Sequence, residues 1–447
     1  MAEITKPLFL DETGEEIRDA ILSVASAIST SGGEGGTVYG FRVDPTESDP
    51  AAKVSYLRDA IGMTPARMNG DTGLFEIGSW GDAFFMPRPA MVNPDGSIAY
   101  YLNPNDYTKK EDGSASEVAD TTQDKNAMMV WGKNGKRIWM KIVPDSTTNG
   151  GEVYIADYQA DPEFKAWPFY NSLGQMMDHF YTPIYQGSLI DGKLRSLSGQ
   201  ALMYSKNAAQ EISYAEANNP SGQKIWFTET FAQRQLINNL LYLMGKSLAT
   251  QEVFGYGIGG LASLGDVVTP NTYPTGSLNN KGLFYGNVAT DAEATGYNVT
   301  QVKVFGMEGY WAHQWRRSAG IYNDKGIWKV KLTRGTQDGS SAADFTVFDG
   351  STSPTGYLSA GSAPSGNGYI VQMKFTEYGL LPIVVGGSTN KYYCDHIWVN
   401  NSQNNYIFFG GHSTSGLYCG ASACDAVAAA SAAYWYRGAA LSGVPLS

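Results

Sequence analysis

Apolar residues near the N-terminus fall at Ile17, Ile21, Val24 and Ile28, the i, i+4, i+7, i+11 spacing of a coiled-coil seam. The spacing predicts a short helix over 11–28. Two heptads do not hold alone, and a Ser/Gly-rich linker, Ser29 to Gly36, follows. The helix is therefore expected to be an oligomerising or docking peg. From Thr37 to about Ala127 short apolar runs, such as Leu74 to Phe85 and Ile98 to Leu102, alternate with turn signals. Asn93-Pro94-Asp95-Gly96 is one such signal, and Leu57 to Met63 reads as a short helix. Residues 108–126 read as an exposed loop. From Met128 the strands lengthen, with Ile138 to Val143 and Val153 to Ala156 as examples. A second helix opens at a T-x-x-Q capping box, Thr230 and Gln233. It carries Leu236, Ile237, Leu240, Leu241 and Met244 on one face and is expected to stop at Gly245. Helices are few and separated by strands, so the expected class is α+β. The expected parts are an N-terminal helix (1–31), a β-rich middle domain (37–127) and a larger domain (128–447).

Charge narrows the partners. Lysine and arginine number 32 against 43 acidic residues, a net charge of −11, which argues against nucleic-acid and anionic-membrane partners. The 28 tyrosines, 18 phenylalanines and 10 tryptophans are too many for a disordered chain. No apolar stretch is long enough to span a bilayer, so no membrane insertion is expected. Met1 to Pro7 lacks the basic and apolar regions of a signal peptide, which predicts synthesis in a cytoplasm. The three cysteines, Cys394, Cys419 and Cys424, are too few for a disulfide framework.

The motifs that would carry chemistry are weak. Met244-Gly245-Lys246-Ser247 resembles the tail of a phosphate loop, but Leu240 stands where the motif needs glycine, and the segment follows a helix. Gly255-Tyr256-Gly257-Ile258-Gly259-Gly260 fits G-x-G-x-x-G by letter, outside any β-α-β unit. The four histidines form no H-E-x-x-H, and no G-x-S-x-G is present. Cys394, His396, Cys419 and Cys424 have the ligand types for zinc but not the spacing of a common knuckle; a Cys419–Cys424 disulfide is an alternative, and free thiols are the default reading. No catalytic residue, metal or cofactor is expected.

The C-terminal region carries the most information. Tyr392, Tyr393, Trp398, Tyr406, Phe408, Phe409, Tyr418, Tyr434, Trp435 and Tyr436 are interleaved with Asn400, Asn401, Ser402, Asn404, Asn405, Ser413, Thr414, Ser415 and Ser422. Tyrosine with Asn, Ser and Gly is the composition of antibody paratopes, where rigid amphipathic rings supply area and small polar groups supply adaptable hydrogen bonds. An aromatic core with polar loops accounts for some of the rings, Phe408-Phe409-Gly410-Gly411 reading as core strand and turn.

Tyr392-Tyr393-Cys394-Asp395-His396, Phe409-Gly410-Gly411-His412 and Gly416-Leu417-Tyr418-Cys419-Gly420-Ala421 resemble the variable region of diversity-generating retroelement target proteins. These proteins use a C-type lectin fold of the formylglycine-generating-enzyme type. Trp435 to Ser442 looks like the closing strand of that fold, with Ala440 where arginine is usual, and Lys303 to Trp311 with Trp315-Arg316-Arg317 resembles its core segment. Asp178 to Tyr185, Leu243 to Ser247 and Ile4 to Gly14 are similar to gut-bacteriophage proteins carrying this domain.

The resemblance implies a C-type lectin-like domain over 128–447 with a variable region at 392–442, in a virion appendage that binds a host receptor. Adenine-directed mutagenesis of Asn codons, which end in C or T, can yield Tyr, Ser, Asp, His, Phe, Leu or Ala but never Trp. On that logic His412, Thr414, Ser415, Leu417, Tyr418, Ser422, Asp425, Tyr434 and Tyr436 are candidate varied positions, joined by His396, Asn400, Asn401 and Asn404 as candidate ligand contacts. Trp398 and Trp435 are then framework, and a terminal strand would put Tyr434 and Tyr436 on one face and Trp435 on the other. No E-P-N, Q-P-D or W-N-D signature of calcium-dependent sugar binding occurs. The implied partners are a bacterial cell-surface protein or glycan, and other virion proteins through the N-terminal helix. Isoleucine at both seam positions, with the resemblance, implies a homotrimer. The alternative is a structural decoration or fibre protein of capsid or tail.

Overall fold

The computed structural model of the chain describes residues 36–258, 274–286, 301–332 and 356–447. The chain divides into two units, Met1–Thr37 and Val38–Ser447, and the second holds the sheets and helices.

The expectation of an α+β class is overturned. The described residues form 26 strands and only three α-helices, Ala208–Glu216, Phe231–Gly245 and Thr250–Phe254. The protein is mostly β-sheet. The coiled-coil-like helix expected over 11–28 lies outside the described residues, and the three helices found are 9, 15 and 5 residues long. The helix read at Leu57 to Met63 is instead the end of the strand Val54–Arg58 followed by turns. Arg58 and Gly62 take φ of 56° and 86° there, which no right-handed helix accommodates.

Three sheets make up most of the unit. A four-stranded antiparallel sheet orders Val54–Arg58, Val38–Val43, Gly151–Ala156 and Trp139–Pro144. A seven-stranded sheet orders Trp226–Thr228, Leu441–Gly443, Phe180–Pro183, Asn126–Trp131, Arg88–Val92, Ile98–Asn103 and Asp106–Lys110. It draws strands from both sides of residue 127, and Leu441–Gly443 sits between Trp226–Thr228 and Phe180–Pro183.

The third sheet builds the site. Its order is Leu358–Ser362, Ile327–Val330, Trp315–Asp324, Asn404–Gly410, Gly420–Ala428, His396–Val399, Gly368–Thr376 and Gly379–Val385, with Arg437–Gly438 added parallel to Trp315–Asp324. The first and last strands of this order approach each other, so the sheet nearly closes into a barrel. Closure of this kind removes most of the exposed edge that an open sheet leaves.

The helix Phe231–Gly245 is buried along its whole length. Its capping box forms as the sequence predicts: Gln233 N donates to Thr230 Oγ1 at 3.3 Å, and Thr230 N donates to Gln233 Oε1 at 3.1 Å. The stop is one residue later than expected, because Lys246 and not Gly245 takes the left-handed conformation, at φ 47°. Gly245 is needed for space instead, since a Cβ there would lie 2.8 Å from Val253 Cγ1 on the next helix. On the sheet side, Phe231 stacks on Phe409 at 6.4 Å, and Gln235 Oε1 accepts from Leu380 N at 2.7 Å. No described helix is long and apolar enough to cross a membrane.

Candidate binding face

Strand register decides which side chains share a face. Arg316 pairs with Phe409, Phe409 with Cys424, and Cys424 with Ile397, which makes one cross-strand row. That row faces the helix Phe231–Gly245 and the main core. The neighbouring row is Arg317, Phe408, Asp425 and Trp398, and by the two-residue period of a strand it faces the other way. The void bounded by Phe231, Trp328, Met373, Phe409 and Cys424 lies on the core side and holds about 10 Å³, room for one water at most. The candidate site is therefore the other face.

On that face two groups of rings assemble. Tyr434 stacks on Tyr436 at 5.3 Å with an interplanar angle of 9°, and Tyr436 stacks on His412 at 4.8 Å and 24°. In the second group His396 packs on Trp398 at 4.1 Å and meets Tyr418 edge-on at 4.7 Å, and Tyr418 stacks on Tyr369 at 5.4 Å. Trp315 joins them, lying 5.6 Å from Trp398 and 6.3 Å from His412. Apart from the closer His396–Trp398 contact, these centroid separations lie in the range where aromatic pairs attract. The outermost ring of each group is the exposed one: Tyr434 is 46% and Tyr418 43% accessible, with Leu417 beside it at 36%.

The histidines are the inner rings. Burial pushes both His396 and His412 down to about 4, and the nearby charge of Arg437 adds to the effect at His412. Both are neutral at pH 7. His412 Nδ1 lies 3.1 Å from Thr414 Oγ1, while His396 Nδ1 is buried without a hydrogen-bond partner. Arg437, beneath the first ring group, forms an ion pair with Asp425. The rings that form the face carry no charge at pH 7.

The residues expected from sequence divide in three. His396, His412, Tyr418, Tyr434 and Tyr436 come together in the two ring groups, with Thr414 and Leu417 beside them. Asn400, Asn401 and Asn404 lie at the turn between His396–Val399 and Asn404–Gly410 and join neither ring group. Asn400 Oδ1 accepts from Ser402 N at 2.9 Å, and Asn401 Nδ2 donates to the Pro364 carbonyl at 2.8 Å. The short side chains of Asn400 and Asn401 build the turn, which is a structural use of Asn. Ser415, Ser422 and Asp425 are buried. Ser415 Oγ accepts from His412 N at 3.3 Å. Ser422 Oγ lies 2.6 Å from Tyr242 Oη on the core side.

Residues 434–436 form a turn and not a strand. Tyr434 and Tyr436 nonetheless share a side, but Trp435 does not face away: its ring meets both Tyr436 (5.3 Å) and His412 (5.8 Å) edge-on. Sequence reasoning missed Trp315 and Tyr369 as members of the face. Tyr369 pairs with His396 across the sheet, a register that no local pattern announces.

The three cysteines are free and buried. Burial pushes the Cys394 thiol up to about 12 and raises Cys419 and Cys424 further. Among the described residues no three His, Cys, Asp or Glu side chains come close enough to hold a metal ion. Compared with known protein families and with curated proteins, the chain matches none.

Proposed function

We propose that the protein is a phage virion appendage that binds the bacterial surface, and that the aromatic face is its receptor-binding site. The observation that carries the reading is convergence. His396, His412, Tyr418, Tyr434 and Tyr436 span 41 positions of sequence, yet their rings meet on one side of one sheet, with the outer tyrosines exposed. Stacked tyrosines are rigid before a ligand arrives, so little side-chain entropy is lost on binding. Several copies on one virion would raise avidity without any new contact.

The resemblance to retroelement-diversified proteins supplies the second half of the reading: the face is rewritten at the gene's 3′ end while the sheet beneath it stays fixed. The expected partner is a bacterial surface protein or glycan, with residues 1–31 attaching a homotrimer to the particle.

Deep sequencing of the 3′ end across one virus population tests this. Substitutions concentrated at adenine positions in the codons of residues 412, 414, 417, 418, 434 and 436 are expected. A uniform 3′ end would remove the diversification. Binding of the labelled protein to a panel of bacterial strains tests the adhesin itself. Failure to bind any strain, or binding indifferent to loss of Tyr418 and Tyr434, would overturn it.

A further inference from the structure

Arg437 lies beneath the first ring group with only 3% of its surface accessible, and Asp425, its ion-pair partner, has 6%. Asp425 Oδ1 also accepts from Val427 N at 3.0 Å. The guanidinium carbon lies 4.8 Å from the ring centre of Tyr434, 5.3 Å from Tyr436 and 4.9 Å from Phe408. Around it the backbone is pinned: Arg437 N donates to the Tyr434 carbonyl at 3.2 Å, and Trp315 N donates to the Tyr436 carbonyl at 3.0 Å.

We propose that Arg437 is the positioning residue of this face. Anchored by Asp425, its planar cation sets the stacked order of Tyr434 and Tyr436. A guanidinium does this where an ammonium does not, because it offers a flat surface to several rings while one of its nitrogens, Nη2, holds the Asp425 carboxylate. The proposal rests on the reading of the face as a binding site and revises it in one respect. Asp425 is too buried to touch a ligand, so residue 425 acts on specificity only through Arg437 and the two tyrosines. A diversified population that keeps Arg437 keeps Asp425 with it.

The test needs no receptor. In the full-length protein, tetranitromethane nitration followed by peptide mapping reads the accessibility of each tyrosine. In the wild type Tyr436, the inner rung, is expected to react several-fold more slowly than Tyr434. Arg437→Lys keeps a positive charge beside Asp425 but removes the flat cation, and Asp425→Asn weakens the anchor. In both variants Tyr436 is expected to approach the rate of Tyr434, while Tyr418 in the other ring group keeps its wild-type rate and thermal unfolding stays cooperative. Retained protection of Tyr436 in both variants overturns the proposal. So does a parallel rise at Tyr418, which would mean that the pair merely holds the fold together. A wild-type protein that shows the nitration order yet binds no strain would overturn the adhesin reading and leave the positioning role standing.

Discussion

Tyr434 lies flat on Tyr436, the two ring planes 9° apart, and Tyr436 in turn lies on His412. Only the outer ring is widely exposed, so the three rings form a short stack rooted in the sheet and open at one end. The outer rung is open to contact while the inner rungs are packed into the fold.

Alanine in place of Tyr418, Tyr434 and Tyr436 together is expected to abolish adsorption to cells. Unfolding free energy should fall by no more than roughly 1–2 kcal/mol. Chemical denaturation of the triple variant measures the second quantity. A loss of several kcal/mol would assign these rings to the core.

Acid should weaken the fold through its neutral histidines. Burial holds His313, His396 and His412 at about 4, against about 6.5 in an unfolded chain. Between those values the unfolded chain takes up protons that the folded one refuses. Stability contributed by neutral burial is complete above pH 6.5, declines as pH falls toward 4, and changes little below. His313, with neither ring nitrogen hydrogen-bonded, is the clearest case. Thermal midpoints across pH 4–8 should fall on the acid side, less steeply in His313→Gln. A profile flat to pH 4.5 would contradict the burial.

Arg317 and Glu211 form a buried ion pair between the Trp315–Asp324 strand and the helix Ala208–Glu216, and Arg317 also reaches Thr228 Oγ1 at 3.4 Å. Arg317→Met leaves a buried carboxylate without its cation and is expected to cost about 3–5 kcal/mol. Adding Glu211→Gln should recover part of that loss. Denaturation of the single and double variants decides it, and additive losses would show that the pair is not coupled.

All three thiols should resist Ellman's reagent in the native protein, because each is buried with a raised pKa. Three equivalents are expected to react once guanidinium unfolds the chain. Fast native reaction at Cys394 would place it nearer the surface than its 7% accessibility indicates.

Much of the local structure was legible in the sequence. The strands Ile98–Asn103, Trp139–Pro144 and Gly151–Ala156 and the Thr230–Gln233 box follow from alternation and capping chemistry that act within a few residues. The rows across the third sheet were not. Whether Asp425 or Cys424 faces the rings depends on pairing with Phe408 and Phe409, and a slip of one residue exchanges the two faces. For that reason Ser422 and Asp425 looked like surface positions and are buried, and neither Tyr369 nor Trp315 was expected on the face. Asn400, Asn401 and Asn404 matched the composition of a binding loop, since turns and paratopes draw on the same small polar residues. The α+β reading gave the few capped helical segments more weight than the many short strands around them.

The strand Leu441–Gly443 lies between Trp226–Thr228 and Phe180–Pro183, on the far side in sequence from every candidate contact residue. A frameshift or premature stop anywhere in 392–436 deletes it, leaving the edge strand Trp226–Thr228 and the interior strand Phe180–Pro183 without their shared neighbour. Such a chain exposes unpaired strand edges and becomes a target for proteolysis. The last strand thus acts as a reading-frame check: a copy that completes this sheet has been translated in frame through the whole of the aromatic face.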